Sequence, residues 1–236
     1  MVTEINIQQI REKVYQNLKS HGWHNALKGF VLSDDFDKII LQLVDEANDN
    51  KRFTPPLKYA FKAFEACDFD KLRVVIIGQD PYPQLGVADG IAFSCSLTND
   101  PQPSLKYIFK DIEKNLYPDG YVWDPNLERW ADQGVLLLNT ALTTTINKPG
   151  THQNIWKTFI VYLLDYLAWN NPGLVYVFMG KKAQEYMALI PDNVHKLTCS
   201  HPASAAYNNL EEWDSGNIFK RINDICISIN GNPINW

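Results

Sequence analysis

Four short runs of apolar, largely branched residues punctuate the chain: RVVII at 73–77, VLLLN at 135–139, LVYVFM at 174–179 and VHKLTCS at 194–200. The first three show almost no polar alternation, so they predict strands covered on both faces. Around them the apolar positions recur with helical spacing. SDDFDKIILQLVDEAN (33–48), PLKYAFKAFEAC (56–67), PSLKYIFKDIEKNL (103–116) and IWKTFIVYLLDYLAWN (155–170) each predict a helix. Ser33, Asp34 and Asp35 suit a helix start, as do the prolines that open the next two segments. Strands alternating with helices predict an α/β fold, a three-layer sandwich with a short, mostly parallel four-stranded central sheet flanked by helices. No linker, repeat or low-complexity segment interrupts the pattern. Residues 1–236 are therefore expected to form one domain, with 1–50 a helical N-terminal segment packed on the α/β core.

In an open parallel sheet, ligands bind beyond the carboxyl ends of the strands. The residues that leave the four runs are Gln79 with Asp80, Asn139 with Thr140, Gly180 with Lys181, and Ser200 with His201. Each taken singly is more often structural, as a turn former, a cap or a satisfied histidine. Together they predict a crevice built from four loops. The first loop, GQDPYP at 78–83, sets two prolines around a tyrosine directly after a carboxylate.

Composition narrows the function classes. The chain has 236 residues, 45% of them hydrophobic, which is enough for a sizeable core. Its formal charge of -5 marks no general affinity for nucleic acid, so a polyanion would have to be held by local cations and backbone amides. Cys67, Cys95, Cys199 and Cys226 form no CxxC pair, which argues against a zinc or iron-sulfur centre and for reduced, mostly buried thiols. The first residues carry charges and no apolar signal region, and no run approaches a membrane span. An intracellular place is expected: the cytoplasm, or the nucleus if the source is a eukaryote or a eukaryotic virus.

At the loop residues the sequence resembles the family 1 uracil-DNA glycosylases, the group typified by bacterial and animal repair enzymes. GQDPYP (78–83) resembles that family's water-activating loop, GIAFS (90–94) its uracil-stacking segment and GVLLLNTALT (134–143) its uracil-reading strand. QPSLKYIFKDI (102–112) is similar to its proline-serine loop, MGKKAQ (179–184) to its glycine-serine loop and SHPAS (200–204) to its histidine loop, and the closing NPINW (232–236) resembles the family ending. The resemblance implies a monofunctional, metal-independent hydrolase without cofactor that releases uracil from DNA and leaves an abasic site. Breaking the deoxyribose-uracil bond develops positive charge on the sugar and negative charge on the base, so opposed electrostatic stabilisers are required. The resemblance gives Asp80 the water and the sugar cation, and gives a neutral His201 the growing charge on uracil O2. It assigns Asn139 the uracil edge, Phe93 the stacking ring, Tyr82 the exclusion of thymine's methyl group, and Gln79 mainly backbone contacts. Ser104, Lys181 and Ser204 are the candidates for DNA phosphates. Implied partners are uracil-containing DNA, single- or double-stranded, and a proteinaceous DNA-mimic inhibitor; no membrane is implied, and a monomer is expected.

The sequence departs from the family pattern in three places. Pro83 and Asp89 stand where histidines are usual. After His201 the text HPASAAYNNL is one residue short and lacks the leucine that enters the duplex. Ala205 or Ala206 would be a small wedge, whereas Tyr207 would substitute by stacking; the sequence leaves these open. Because unpairing a base costs a few kcal/mol in duplex and little in a single strand, a preference for single-stranded uracil is expected. Two rival readings stand beside the enzyme: a non-catalytic DNA-binding accessory protein that retains the fold, and an enzyme acting on free nucleosides.

Overall fold

The computed structural model describes residues 6–236; residues 1–5 of the N-terminal segment lie outside the described residues. The chain opens with three helices, α1 (Ile7–Ser20), α2 (His24–Val31) and α3 (Asp34–Asn48). Ser33 caps α3 by accepting from the Phe36 amide, and Asp34, Asp35 and Asp37 occupy its first turn, where the helix dipole favours negative charge. Arg11 forks onto Asp37 with bonds of 2.7 and 2.5 Å and ties α1 to α3. Next come β1 (Phe53–Thr54), α4 (Lys62–Ala66) and β2 (Val74–Gly78). After them run α5 (Pro103–Leu116), α6 (Glu128–Ala131), β3 (Val135–Asn139), β4 (Thr144–Thr145) and α7 (Gln153–Asn170). The chain finishes with β5 (Val175–Met179), α8 (Lys181–Gln184), β6 (His195–Cys199), α9 (Pro202–Tyr207) and α10 (Ile218–Asn230).

β3, β2, β5 and β6 lie side by side in that order, all parallel, as the apolar runs predict. Alternating residues serve opposite faces. Val75, Ile77, Leu136, Leu138, Tyr176 and Phe178 join the core beneath α2, α3, α4 and α7. Val74, Ile76, Val135, Leu137, Val175 and Val177 join the core with α5, α10 and Trp236. Each such side chain, once buried, contributes about 1.5–3 kcal/mol, so both faces resist exposure and the sheet becomes the middle of three layers. β1 and β4 form a separate antiparallel ribbon. Among the described residues, no helix is long and apolar enough to cross a membrane. The cysteines are free thiols, three of them buried and Cys199 partly so.

One expected helix is not continuous. The 56–67 segment is a 3-10 turn at Leu57–Tyr59 followed by the short α4. Phe61, at φ -103° and ψ 11°, breaks the run, and the Tyr59 carbonyl packs against the loop at residue 90 instead of against a following helical turn. Tertiary contact here overrides local helix propensity.

Candidate active site

β2 and β3 stay joined after the sheet ends. Gly78 pairs with Asn139 in register, Thr140 donates its amide to Gly78 O (3.1 Å) and its hydroxyl to Gln79 O (2.6 Å), and the Ala141 amide donates to Gln79 O (3.2 Å). This clamp fixes where Asp80 leaves the strand. Pro81 and Pro83 restrict the following turn, and the Pro83 carbonyl accepts from the Asn147 amide at 2.9 Å. The Asp80 carboxylate receives the Gly150 N–H. Burial raises the Asp80 pKa above the ordinary carboxylate value, while the Gly150 amide and then the Gln79 and Thr144 side chains draw it back down. Thr144 shares its hydroxyl, which also lies 2.9 Å from the Lys148 carbonyl oxygen. The result is a half-buried carboxylate held by donors and, among the described residues, without a cationic partner, a group well suited to face a developing cation.

His201 leaves the edge strand β6 and is the N-cap of α9. Its Nδ1 accepts the Ala203 amide at 3.1 Å. An accepting Nδ1 carries no proton, so the neutral ring bears its hydrogen on Nε2, free to donate into the crevice. Burial lowers the His201 pKa to about 4, which keeps the ring neutral near pH 7. Gly180, at φ +89°, lets the ring sit against the end of β5: a Cβ there would fall 2.7 Å from His201 Cβ.

Asn139, Phe93 and Tyr82 form the third wall. Phe93 adopts φ +67°, a region that costs a bulky residue about 1–3 kcal/mol. The surroundings hold it there. Tyr82 donates its hydroxyl to the Phe93 carbonyl at 2.9 Å, and Ala92 donates its amide to Leu137 O at 3.1 Å. Buried Asp89 gathers the Ile91 amide (3.1 Å), the Ser96 amide (3.0 Å) and the Ser94 and Ser96 hydroxyls. The carboxylate found in place of a histidine thus anchors the loop that carries Phe93. The Phe93 and His201 rings lie 5.6 Å apart, centroid to centroid. Gly78 gives this wall its depth, since a Cβ there would lie 2.7 Å from Asn139 Oδ1 and 3.1 Å from Phe93 Cζ.

Gln79, Asp80, Tyr82, Phe93, Asn139 and His201 all line one cavity of about 630 Å³, together with Ser104, Ser204 and Tyr207. Two expected DNA contacts fall elsewhere. Lys181 is exposed at the first turn of α8 and does not line the cavity. Ala205 is 1% exposed and packs in the core behind α9, because a six-residue helix must turn one side inward. Tyr207, 82% exposed, stands at the cavity rim beside Ala206. Ser104 lies behind Pro103 at the start of α5, whose N-cap Gln102 makes no side-chain capping bond, and a helix N-terminus favours an anion. Ser204 spends its hydroxyl proton on the His201 carbonyl at 2.7 Å, so a phosphate would have to turn it. Sequence reading passed over Gly78, Gly150 and Asp89 as site-forming residues. The Pro149-Gly150 pair just ahead of α7 was the available signal for the second of them.

Comparison with known proteins agrees with this geometry. Residues 64–225 match the family described as the uracil DNA glycosylase superfamily. A uracil-DNA glycosylase of Mycoplasmopsis pulmonis is 40% identical over 220 residues, covering 92% of this chain and 98% of that protein. The crystal structure of mimivirus uracil-DNA glycosylase superposes with a TM-score of 0.85 at 26% identity, over 98% of this chain and 89% of that one. A mimivirus variant in complex with UGI superposes with a TM-score of 0.82, also at 26% identity, over 91% of this chain and 87% of that one. The chain therefore belongs to the uracil DNA glycosylase superfamily and is a hydrolase acting on the N-glycosyl bond of uracil in DNA.

Proposed function

We propose that the chain works as a family 1 uracil-DNA glycosylase, monofunctional and metal-independent, with Asp80 and His201 as its catalytic pair. The observation that carries this reading is the pairing, in one cavity, of a half-buried carboxylate that accepts the Gly150 amide with a histidine whose Nδ1 accepts the Ala203 amide, which leaves Nε2 to donate. A water attacks the sugar C1′ as the C1′–N1 bond breaks and its electron pair leaves on uracil; Asp80 orients that water, stabilises the sugar cation and accepts the proton the water sheds as the C1′–OH forms. His201 Nε2–H donates to uracil O2, where the charge of the departing base grows. Both groups act hardest on the transition state, as catalysis requires. No lysine takes part as a nucleophile, so strand cleavage does not follow base release. Asn139, whose side chain makes no hydrogen bond among the described residues, reads the uracil edge; Phe93 stacks on the base, Tyr82 crowds C5, and Gln79 offers backbone.

Gly78→Ala is expected to weaken inhibition by free uracil and slow excision by about tenfold to a hundredfold, because the added methyl displaces Asn139 and Phe93 together. Since Gly78 has no positive φ, thermal unfolding should move by only a few degrees. Uracil binding equal to that of the unmodified protein would remove Asn139 from the reading edge.

Uracil release from long DNA but not from deoxyuridine distinguishes this reading from an enzyme of free nucleosides, because remote phosphate binding drives the chemical step. Ser104 and Ser204 on the cavity wall are the proposed phosphate contacts, with Lys181 reaching the backbone from outside it. Tyr207 at the rim is the proposed replacement for a duplex-entering leucine, and Ala205 takes no part. A ring at a helix end replaces a flipped base poorly, so excision from a single strand is expected to exceed that from a matched duplex by about tenfold or more. Equal rates on the two substrates, measured under single turnover, would refute the preference. A protein that mimics DNA, as proposed by analogy with the UGI complex, would dock on the same rim; monomeric action on DNA in the cytoplasm completes the reading.

A further inference from the structure

Behind the Asp80 wall runs a chain of hydrogen bonds that the proposed chemistry leaves unused. Trp156 Nε1 donates to Thr143 Oγ1 at 2.8 Å, Thr143 Oγ1 lies 2.8 Å from His152 Nδ1, and His152 Nε2 lies 3.0 Å from Glu46 Oε2. The proton directions follow from chemistry. An indole N–H only donates, so Thr143 accepts from Trp156; the Glu46 carboxylate only accepts, so it takes the hydrogen of His152 Nε2 and leaves Nδ1 of the neutral ring to accept from Thr143. The His152 hydrogen then sits on Nε2 and points at the Glu46 carboxylate, with Thr145 Oγ1 3.2 Å away. His152 is 1% exposed, and burial lowers its pKa against the opposing pull of Glu46, so the ring is neutral.

This chain clamps a strap. Residues 143–152 leave β3, form β4, and return through Gly150 to the start of α7. His152 reaches back to Thr143 and Thr145 across the strap's open ends, and Thr151 Oγ1 accepts the Thr145 amide at 2.9 Å. Glu46, on α3, anchors the clamp to the N-terminal helices. The strap meets the catalytic carboxylate through the Gly150 amide, two residues before His152, which donates to Asp80, and through the Thr144 side chain.

We propose that Glu46 and His152 are positioning residues that hold the Gly150 amide on the Asp80 carboxylate, so that α3 controls the catalytic carboxylate without touching substrate. The inference rests on the reading of Asp80 given above. Loosening the strap withdraws a donor that lowers the Asp80 pKa, and the acid limb of the rate must then move to higher pH. The contributions to Asp80 from the elements packed around it are burial, Gly150, Gln79 and Thr144, with no charged neighbour among them; Glu46 is the charged group that faces His152.

The test is single-turnover uracil release from a single-stranded uracil oligonucleotide across a pH series, with free uracil as competitor. Glu46→Ala is expected to slow release about tenfold to a hundredfold, to move the acid limb upward and to leave uracil affinity within about twofold. Glu46→Gln keeps an acceptor for Nε2–H and is expected to restore most of the rate. Should Glu46→Ala fail to fold, Glu46→Asp withdraws the carboxylate by one methylene and is expected to shift rate and limb in the same direction. Unchanged rate and limb in the folded variant, an equal loss of uracil affinity, or no rescue by Gln would each overturn the proposal. Asp80→Asn in the same series separates the two claims: if it abolishes release while Glu46→Ala does not slow it, only the positioning role falls. If Asp80→Asn stays active, the reading of Asp80 falls and the positioning role with it.

Discussion

Asp80→Asn is expected to lower single-turnover uracil release from a single-stranded oligonucleotide by about a thousandfold or more in the presence of EDTA, because it removes the negative charge opposed to the sugar cation. The amide is isosteric and its Oδ1 can still accept the Gly150 N–H, so the loop keeps its shape and the loss isolates charge. Free uracil is expected to bind the variant as it binds the unmodified protein, since Asn139 and Phe93 are untouched. Stability should move the other way. Burial raises the Asp80 pKa in the fold, so the folded state holds that proton more tightly than the unfolded chain, and the ionised group opposes folding at neutral pH. The variant escapes this cost: it is expected to melt above the unmodified protein at pH 7. The advantage should shrink as pH falls through the raised pKa, where the native carboxyl takes up its proton. A site that gains stability when its charge is removed is strained for function. Full activity in the folded variant would refute the assigned role, and a lower melting point at pH 7 would refute the account of its burial.

The fold was legible because its information is local and periodic. Unbroken, branched apolar runs of strand length such as VVII and VLLL favour strands with two covered faces, and Ser33 with three acidic neighbours favours a helix start. The cavity was legible for a topological reason: parallel strands deliver their carboxyl ends to one edge, so Gln79, Asp80, Asn139 and His201 had to converge once the strands were right. What stayed hidden depends on approach between distant segments. Gly78 matters through the room it leaves for Asn139 and Phe93, Gly150 through an amide aimed back across seventy residues at Asp80, and Asp89 through the four donors it gathers. None of these is a property of residue type or spacing. Ala205 shows the same limit from the other side, because which face of a short helix turns inward is decided by the core it meets.

His201→Ala is expected to slow excision by about a hundredfold to a thousandfold, the cost of removing one donor from a growing oxyanion. The protonation state decides how that loss depends on pH. A ring whose pKa lies at about 4 is neutral throughout the range from pH 5 to 8, so the deficit should be constant across it. Were the active form a cation, the deficit would vanish on the alkaline side. The same depressed pKa predicts a stability signature. The unfolded chain, with an ordinary histidine near 6.5, takes up a proton that the folded ring refuses, so the unmodified protein loses stability as pH falls from about 6.5 to about 4. His201→Ala lacks that proton in both states, and its unfolding free energy should decline less steeply over the same window. Gly180→Ala offers a second route to the same ring: a Cβ only 2.7 Å from His201 Cβ, at φ +89°, must push the imidazole from its place without removing it. If the donor acts by position, Gly180→Ala will lose rate in parallel with His201→Ala, and combining the two will cost little more than either alone. Additive losses would mean that Gly180 acts on something other than His201.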